Sequence, residues 1–382
     1  MPPPIMDDNV GAAIGTAVAL ALTIYILGFY LTAPKPSVAG KVTKIVVYPL
    51  KSAKGIEVQR HKLDAMGLEF DRKWMVVDAN GSFLSQRRAP KLATVEVKLP
   101  TSHDDPLCLS VPGTLYGSTS ISVPVISEAS MEKMVRCWGD HCNGIDQGDK
   151  AAAWLSKMLG VDGARLVRMA DGVKRFCDTK WGPAGATTAF SDGFPLLLAN
   201  ESSLAQLNAK LAERKQPPVQ MHRFRPNLVM GPTGPAEADV TAEALAPFAE
   251  DGWSKIRVGG ARGVPFGVVK PCARCKMITI DQKTGVPDKR PSSAPTKGTP
   301  DDDDEGGGPA AQAEPTATLR TFRSAEALGF HAPFDKCDVF FGQNIVLDGK
   351  LAGREIAVGD VVVATPRRKR GLFSKGVLGV DY

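Results

Sequence analysis

Residues 41–56 read KVTKIVVYPLKSAKGI. Val42–Tyr48 is rich in β-branched residues and stops at Pro49, the pattern of a short strand running into a loop. Lys51 and Ser52 then place an ammonium and a hydroxyl at a strand-to-loop switch, a pairing suited to an anion. Outward from this stretch, Trp74–Val77, Phe83–Ser85, Thr94–Leu99, Leu107–Val111 and Ser120–Val125 are also short and bounded by turns. Asn80-Gly81 suits a tight hairpin. Six such strands predict a small barrel or sandwich over residues 41–130.

Helical periodicity begins further on. Ala151–Leu159 carries it, and so does Glu201–Glu213, with Leu204, Leu207 and Leu211 on one face and Asn200 as N-cap. Strand patterns return at Asn227–Met230, Lys255–Val258, Lys276–Asp281, Asn344–Leu347 and Asp360–Ala364. Residues 131–366 therefore read as a second, mixed domain, and the whole chain as α+β. Lys289–Ala317 is dominated by Pro, Ser, Gly and Ala with an acidic run at Asp301–Glu305, and reads as a disordered surface insertion. The acidic run could alternatively dock a basic partner. Residues 367–382 open on a basic cluster, Arg367–Arg370, either a solvated tail or a contact for anionic lipid.

The chain has 382 residues, with 43% hydrophobic, 23% charged and a net charge of +6, which excludes wholesale disorder. So mild an excess permits an acidic protein partner or anionic membrane and does not call for nucleic acid. Seven scattered cysteines, an odd number, do not make a disulfide scaffold and fit a reducing compartment. Residues 9–31 carry no charge over 23 positions. As a helix they would span about 34 Å, enough for a hydrocarbon core. No basic residue precedes the run, which favours a retained anchor over a cleaved signal. Asp7 and Asp8 before it and Lys35, Lys41 and Lys44 after it place residues 41–382 on the cytosolic side.

The sequence contains no GxxxxGK[ST], HExxH or GxSxG, and no GxGxxG after a strand. Its most distinctive stretch is Pro271-Cys272-Ala273-Arg274-Cys275, leading into the strand-like Lys276–Asp281. Three readings of the cysteine pair stay open. It could be half of a zinc site with Cys137 and Cys142, a redox dithiol, or the source of a single soft thiolate ligand beside a cation. Other cationic groups sit at element ends: Arg87-Arg88 after the first hairpin, and Arg225-Pro226-Asn227 before a later strand. Arg offers a bidentate fork to phosphate and Asn can read a heterocycle edge.

Taken in order, YPLKSAKGI (48–56), AMGLEFDRKWMVVD (65–78), LSQRRAPKL (84–92), FSDGFPLLLANESSLAQLN (190–208), RFRPNLVM (223–230), PCARCKMITIDQKTG (271–285), FGQNIVL (341–347) and VGDVV (358–362) resemble MOSC-domain proteins that carry a preceding MOSC N-terminal β-barrel domain. Within them the chain is most similar to the membrane-anchored mitochondrial amidoxime-reducing components. The resemblance implies a mononuclear molybdenum held by a pyranopterin dithiolene and one protein thiolate, assigned to Cys275. It further implies that Lys51, Ser52, Arg87, Ser191, Arg225, Asn227 and Arg274 hold the pterin and its phosphate. The implied activity is reduction of N-hydroxylated compounds such as amidoximes and hydroxylamines, with a b-type cytochrome and its NADH-dependent flavin reductase as electron donors. The implied location is the mitochondrial outer membrane, with endoplasmic reticulum as the alternative. A molybdenum cofactor carrier or sulfur-transfer protein is the alternative function. No aminotransferase-like region matches, so pyridoxal phosphate is not expected.

Overall fold

The computed structural model describes residues 18–20, 23, 34–114, 117–232, 246–288, 313–331, 333–347 and 349–367. Seven strands close into a barrel within a mixed α+β chain that has few helices. Ser37–Val47 runs antiparallel to Leu228–Gly231 on one side and to Val361–Pro366 on the other. The ring continues through Trp253–Val258, Val264–Arg274, Val339–Val346 and Leu196–Asn200, which returns parallel to Leu228–Gly231. Ala39, Val42, Ile45 and Val47 of the first strand pack with Met230, Ile256, Phe266 and Ile345 in one buried cluster. Closure removes exposed sheet edges and gives that cluster its walls. At the seam, a Cβ on Gly40 would stand 2.4 Å from the Gly231 carbonyl oxygen, so the close approach requires glycine.

Sequence periodicity identifies Val42–Tyr48 as a strand but cannot name its partners. The expectation that it opens a barrel over residues 41–130 is corrected by the pairing: it belongs to the ring built mainly after residue 195. Trp74–Val77 instead joins Arg165–Met169, Asp140–Asp146 and Glu132–Cys137 in a four-stranded sheet. The first unit therefore continues well past residue 130. Glu96–Lys98, Leu107–Thr114 and Gly117–Val123 form a separate three-stranded sheet. Phe83–Ser85 contributes only an isolated bridge, Val77 to Phe83. The two sheets and the helix Asp149–Leu159 share a core that includes Trp74, Leu92, Leu107, Leu155 and Leu166.

The helix Glu201–Glu213 forms as expected, with the Asn200 side chain accepting from the Ser202 amide at 3.0 Å. Lys276–Asp281 is a correction. The strand, Val264–Arg274, runs through Cys272 and ends just before Cys275, and Lys276–Thr279 is a 3₁₀ turn. Thr279 Oγ1 donates to the Lys276 carbonyl at 2.8 Å, a local bond that competes with strand pairing.

The described residues resume at Ala313, inside the stretch read as an insertion. Ala313, Thr316 and Ala317 are buried, and the helix Thr316–Arg323 packs there. The remainder of that insertion, 289–312, and the tail after 367 lie outside the described residues. The anchor expected over residues 9–31 also lies outside them, apart from residues 18–20 and 23. Among the described residues, no helix is long and apolar enough to cross a membrane.

Candidate functional site

The barrel strands end on one side in a cleft that also takes residues from the first unit. Lys51, Ser52, Ser191, Arg225, Asn227 and Arg274 line it together, with Arg72, Asp192, Cys272 and Met277. Six of the eight positions expected from the sequence thus converge. Arg87 and Cys275 are not among the lining residues. Cys275 is half-buried between two that are, Arg274 and Met277, at the start of the 3₁₀ turn. Arg87 lies over the Trp138 ring at 4.5 Å.

Backbone conformation around the cleft is unusual. Ser52, Arg72 and Arg225 all have positive φ, at 69°, 50° and 54°. Non-glycine residues held there cost about 1–3 kcal/mol each and cluster at functional sites. The Ser52 turn is held from below by Gln86, whose Nε2 donates to the Ser52 carbonyl at 2.8 Å. Arg225 follows the short turn Met221–Phe224, and its Nη1 donates to the Ala53 carbonyl at 2.7 Å.

Electrostatically the cleft is a cation cluster only partly neutralised from within. Arg72 and Arg225 both lie over the Tyr48 ring, each 4.3 Å from its centroid. Burial pushes the Tyr48 phenol up to about 12, against the pull of both guanidiniums, so the ring stays neutral between them. Arg72 pairs with the buried Asp71 and donates to Asn227 Oδ1 at 2.8 Å. Lys51 reaches the Phe190 carbonyl at 2.8 Å and Asp192 at 2.5 Å. The crowding around the Asp192 carboxyl disfavours its charge, yet Lys51, the Trp138 N–H and Arg72 hold it well below the usual carboxylate range.

Among the described residues, no carboxylate is bonded to Arg225. It is only 6% exposed, burial pushes it down to about 10, and its Nη2 is buried without a hydrogen-bond partner. Arg274 donates from Nη1 to Cys272 Sγ at 2.9 Å and from Nη2 to the Phe224 carbonyl at 2.8 Å, while its Nε is also buried without a partner. Two orphaned guanidinium donors in one cleft fit an anionic ligand that would complete them.

Asn227, expected to read a heterocycle edge, lines the cleft with its side chain bonded to the protein. Its Oδ1 accepts from Arg72 and from the Leu197 amide, and its Nδ2 donates to the Val46 carbonyl and to Asp71. All four of its hydrogen-bonding positions are used by the protein, which ties the cleft wall together at this residue.

The zinc reading of the cysteine pair is not assembled. Cys137 and Cys142 are buried with Met75, Val167 and Phe190, and burial pushes the Cys142 thiol up to about 11. Among the described residues, no group of three or more His, Cys, Asp or Glu side chains could hold a metal. A metal here would have to bring other ligands with it, as a dithiolene-bound one does.

Arg72, Asp192, Tyr48 and Trp138 are parts of the site that sequence reasoning did not single out. Arg72 and Asp192 lie inside the quoted segments 65–78 and 190–208, the available signal; nothing in the sequence brings Trp138 to the cleft.

Residues 39–162 match the MOSC N-terminal beta barrel domain, and residues 186–363 match the MOSC domain. The first match extends past residue 130, as the strand pairing does. Mitochondrial amidoxime-reducing component 1 of Mus musculus is 28% identical over 331 residues, covering 85% of this chain and 82% of that protein. Mitochondrial amidoxime reducing component 2 of Bos taurus is 30% identical over 258 residues, covering 66% and 69%. Molybdenum cofactor sulfurase of Danio rerio is 32% identical over 272 residues, covering 65% of this chain and 29% of that longer protein. The chain belongs to the MOSC domain family, as an MOSC N-terminal beta barrel domain followed by an MOSC domain.

Proposed function

We propose that this chain is a molybdenum cofactor-dependent reductase of N-hydroxylated compounds, amidoximes and hydroxylamines among them. The observation that carries the reading is the cleft itself: two buried guanidinium donors without partners, on Arg225 and Arg274, beside a cysteine pair. Similarity to amidoxime-reducing components over most of their length supports the choice of reaction.

In this reading Lys51, Ser52, Ser191, Arg225 and Arg274 hold the pterin and its phosphate, Arg87 closes the edge of the cleft, and Asn227 keeps Arg72 and Asp71 in place. Cys275 gives the metal its protein thiolate. Bound there, the cofactor would supply the two-electron chemistry that cleaves an N–O bond. The overall reaction consumes two electrons and two protons and turns an amidoxime into an amidine and water. Arg225 and Arg274, fixed by their bonds to the Ala53 and Phe224 carbonyls, place positive charge against the anionic cofactor with little reorganisation. Cys272, bonded to Arg274, is a neighbour that orients the guanidinium.

Electrons would come from a b-type cytochrome and its NADH-dependent flavin reductase, docked weakly by opposite charge. The apolar run at residues 9–31 would anchor the protein with its cleft in the cytosol, at the mitochondrial outer membrane. The sulfurase relatives favour a second reading, a molybdenum cofactor carrier or sulfur-transfer protein using the same cleft.

The test is turnover. Molybdenum-loaded protein supplied with reduced cytochrome and benzamidoxime should yield benzamidine. Stoichiometric molybdenum without any turnover would instead support the carrier.

A further inference from the structure

Trp138 occupies the two-residue turn of the hairpin Glu132–Cys137 and Asp140–Asp146, where Cys137 faces Asp140. Its φ is 59°, a left-handed conformation that a bulky side chain rarely adopts. A glycine stands next to it, at Gly139, yet the left-handed position holds the tryptophan. Among the described tryptophans it is the exposed one, at 39%. Strain and exposure at one aromatic residue require something that holds it there.

Three contacts do so, and one of them reaches the cleft wall. The Trp138 indole N–H donates to Asp192 Oδ1 at 2.9 Å, and Asp192 is part of the cleft wall. The Arg87 guanidinium lies over the ring at 4.5 Å, and the Phe83 ring tilts against it at 5.2 Å. Asp192 is itself held by Lys51. Trp138 thus reaches from the first unit to the segment that opens the second and stands at the cleft's rim. Its single polar hydrogen is spent on Asp192, so all it can offer a visiting molecule is ring surface. The lining cations serve an anion; the indole serves a flat apolar group.

We propose that Trp138 is a specificity-determining residue of this site, its exposed indole forming an outer wall on which the aryl group of an N-hydroxylated substrate stacks. The inference rests on the reductase reading and adds a substrate class to it: aryl-bearing compounds are favoured over small ones of equal reactivity. The hydrogen bond to Asp192 fixes the ring's position, and the strained turn aims it.

The experiment compares molybdenum-loaded wild type, Trp138→Ala and Trp138→Phe on benzamidoxime and on hydroxylamine, which has no aryl group. Loss of one aromatic stacking contact corresponds to about 2- to 12-fold in affinity. Trp138→Ala should raise the benzamidoxime KM by that factor while its kcat, its KM for hydroxylamine and its molybdenum content stay close to wild type. Trp138→Phe, which keeps a ring but lacks the N–H that bonds Asp192, should fall between wild type and Trp138→Ala. An equal rise in KM for both substrates would mean that Trp138 merely supports the rim, and no change for either would mean that substrate does not touch it; each result overturns the proposal. If wild type reduces neither substrate, the reductase reading fails separately, and calorimetric titration with benzamidoxime decides the inference. Binding weakened in Trp138→Ala upholds it, and equal or undetectable binding to wild type and variant overturns it.

Discussion

Arg274 donates a guanidinium N–H to Cys272 Sγ at 2.9 Å, and a second N–H of the same group reaches the Phe224 carbonyl at 2.8 Å. Phe224 immediately precedes Arg225, so one side chain ties the cysteine pair at the end of a barrel strand to the loop that carries the buried, partly unsatisfied Arg225. The cysteine pair and the cationic cradle form a single mechanical piece.

That coupling predicts shared behaviour for the two arginines. Hydrogen bonds to charged groups contribute about 1.5–3 kcal/mol, roughly 10- to 150-fold in affinity. Arg225→Met and Arg274→Met should each lose most of their molybdenum on gel filtration under conditions where wild type retains it. Arg225→Met should not lower the stability of the cofactor-free protein by more than about 1 kcal/mol, because a buried cation with no bonded carboxylate is itself costly. Metal analysis with urea unfolding checks both statements, and full molybdenum retention in Arg225→Met would count against the cradle.

Asn227 should behave differently. Replacing it with Ala removes partners from Arg72, Asp71, the Leu197 amide and the Val46 carbonyl at once. Buried groups left unpaired put the loss at about 2–4 kcal/mol of stability, seen as a lower urea midpoint in cofactor-free protein. A variant of unchanged stability that only binds cofactor less well would show that Asn227 faces the ligand after all.

Glu250 gives the fold a pH dependence away from the cleft. It is fully buried, Ser203 donates to its Oε1 at 2.9 Å, and its Oε2 is without a partner. Burial, reinforced by neighbouring Asp251, pushes its carboxyl from 4.5 up to about 7. The folded state then binds a proton that the unfolded state has released, so this contribution is complete below pH 4.5 and is lost as pH rises through 7. Glu250→Gln stays neutral throughout. Its stability relative to wild type should grow between those pH values by up to about 3 kcal/mol and level off above 7. A difference independent of pH would contradict the assignment.

The parts of this structure governed by local chemistry were readable from the residues. Val42–Tyr48 is rich in β-branched residues and forms a strand, and Asn200 caps its helix because an amide oxygen there meets the first free N–H groups. Pairing partners were not readable: Val42–Tyr48 joins strands beginning at 228 and 361, and no local pattern encodes contacts so distant in sequence. Lys276–Asp281 has the alternation of a strand, but Thr279 bonds back to Lys276 and the chain turns. In the site, lysine and arginine at element ends signalled an anion. Arg72, Asp192 and Trp138 gained their roles only when loops from both units met, and the saturation of Asn227 is a property of its four neighbours.

The most direct test of the account is the molybdenum content of purified Cys275→Ala beside Cys272→Ala and wild type, with circular dichroism confirming that each is folded. The account predicts that Cys275→Ala loses most of its molybdenum while Cys272→Ala keeps most of it. Molybdenum retained in Cys275→Ala and lost in Cys272→Ala would contradict it.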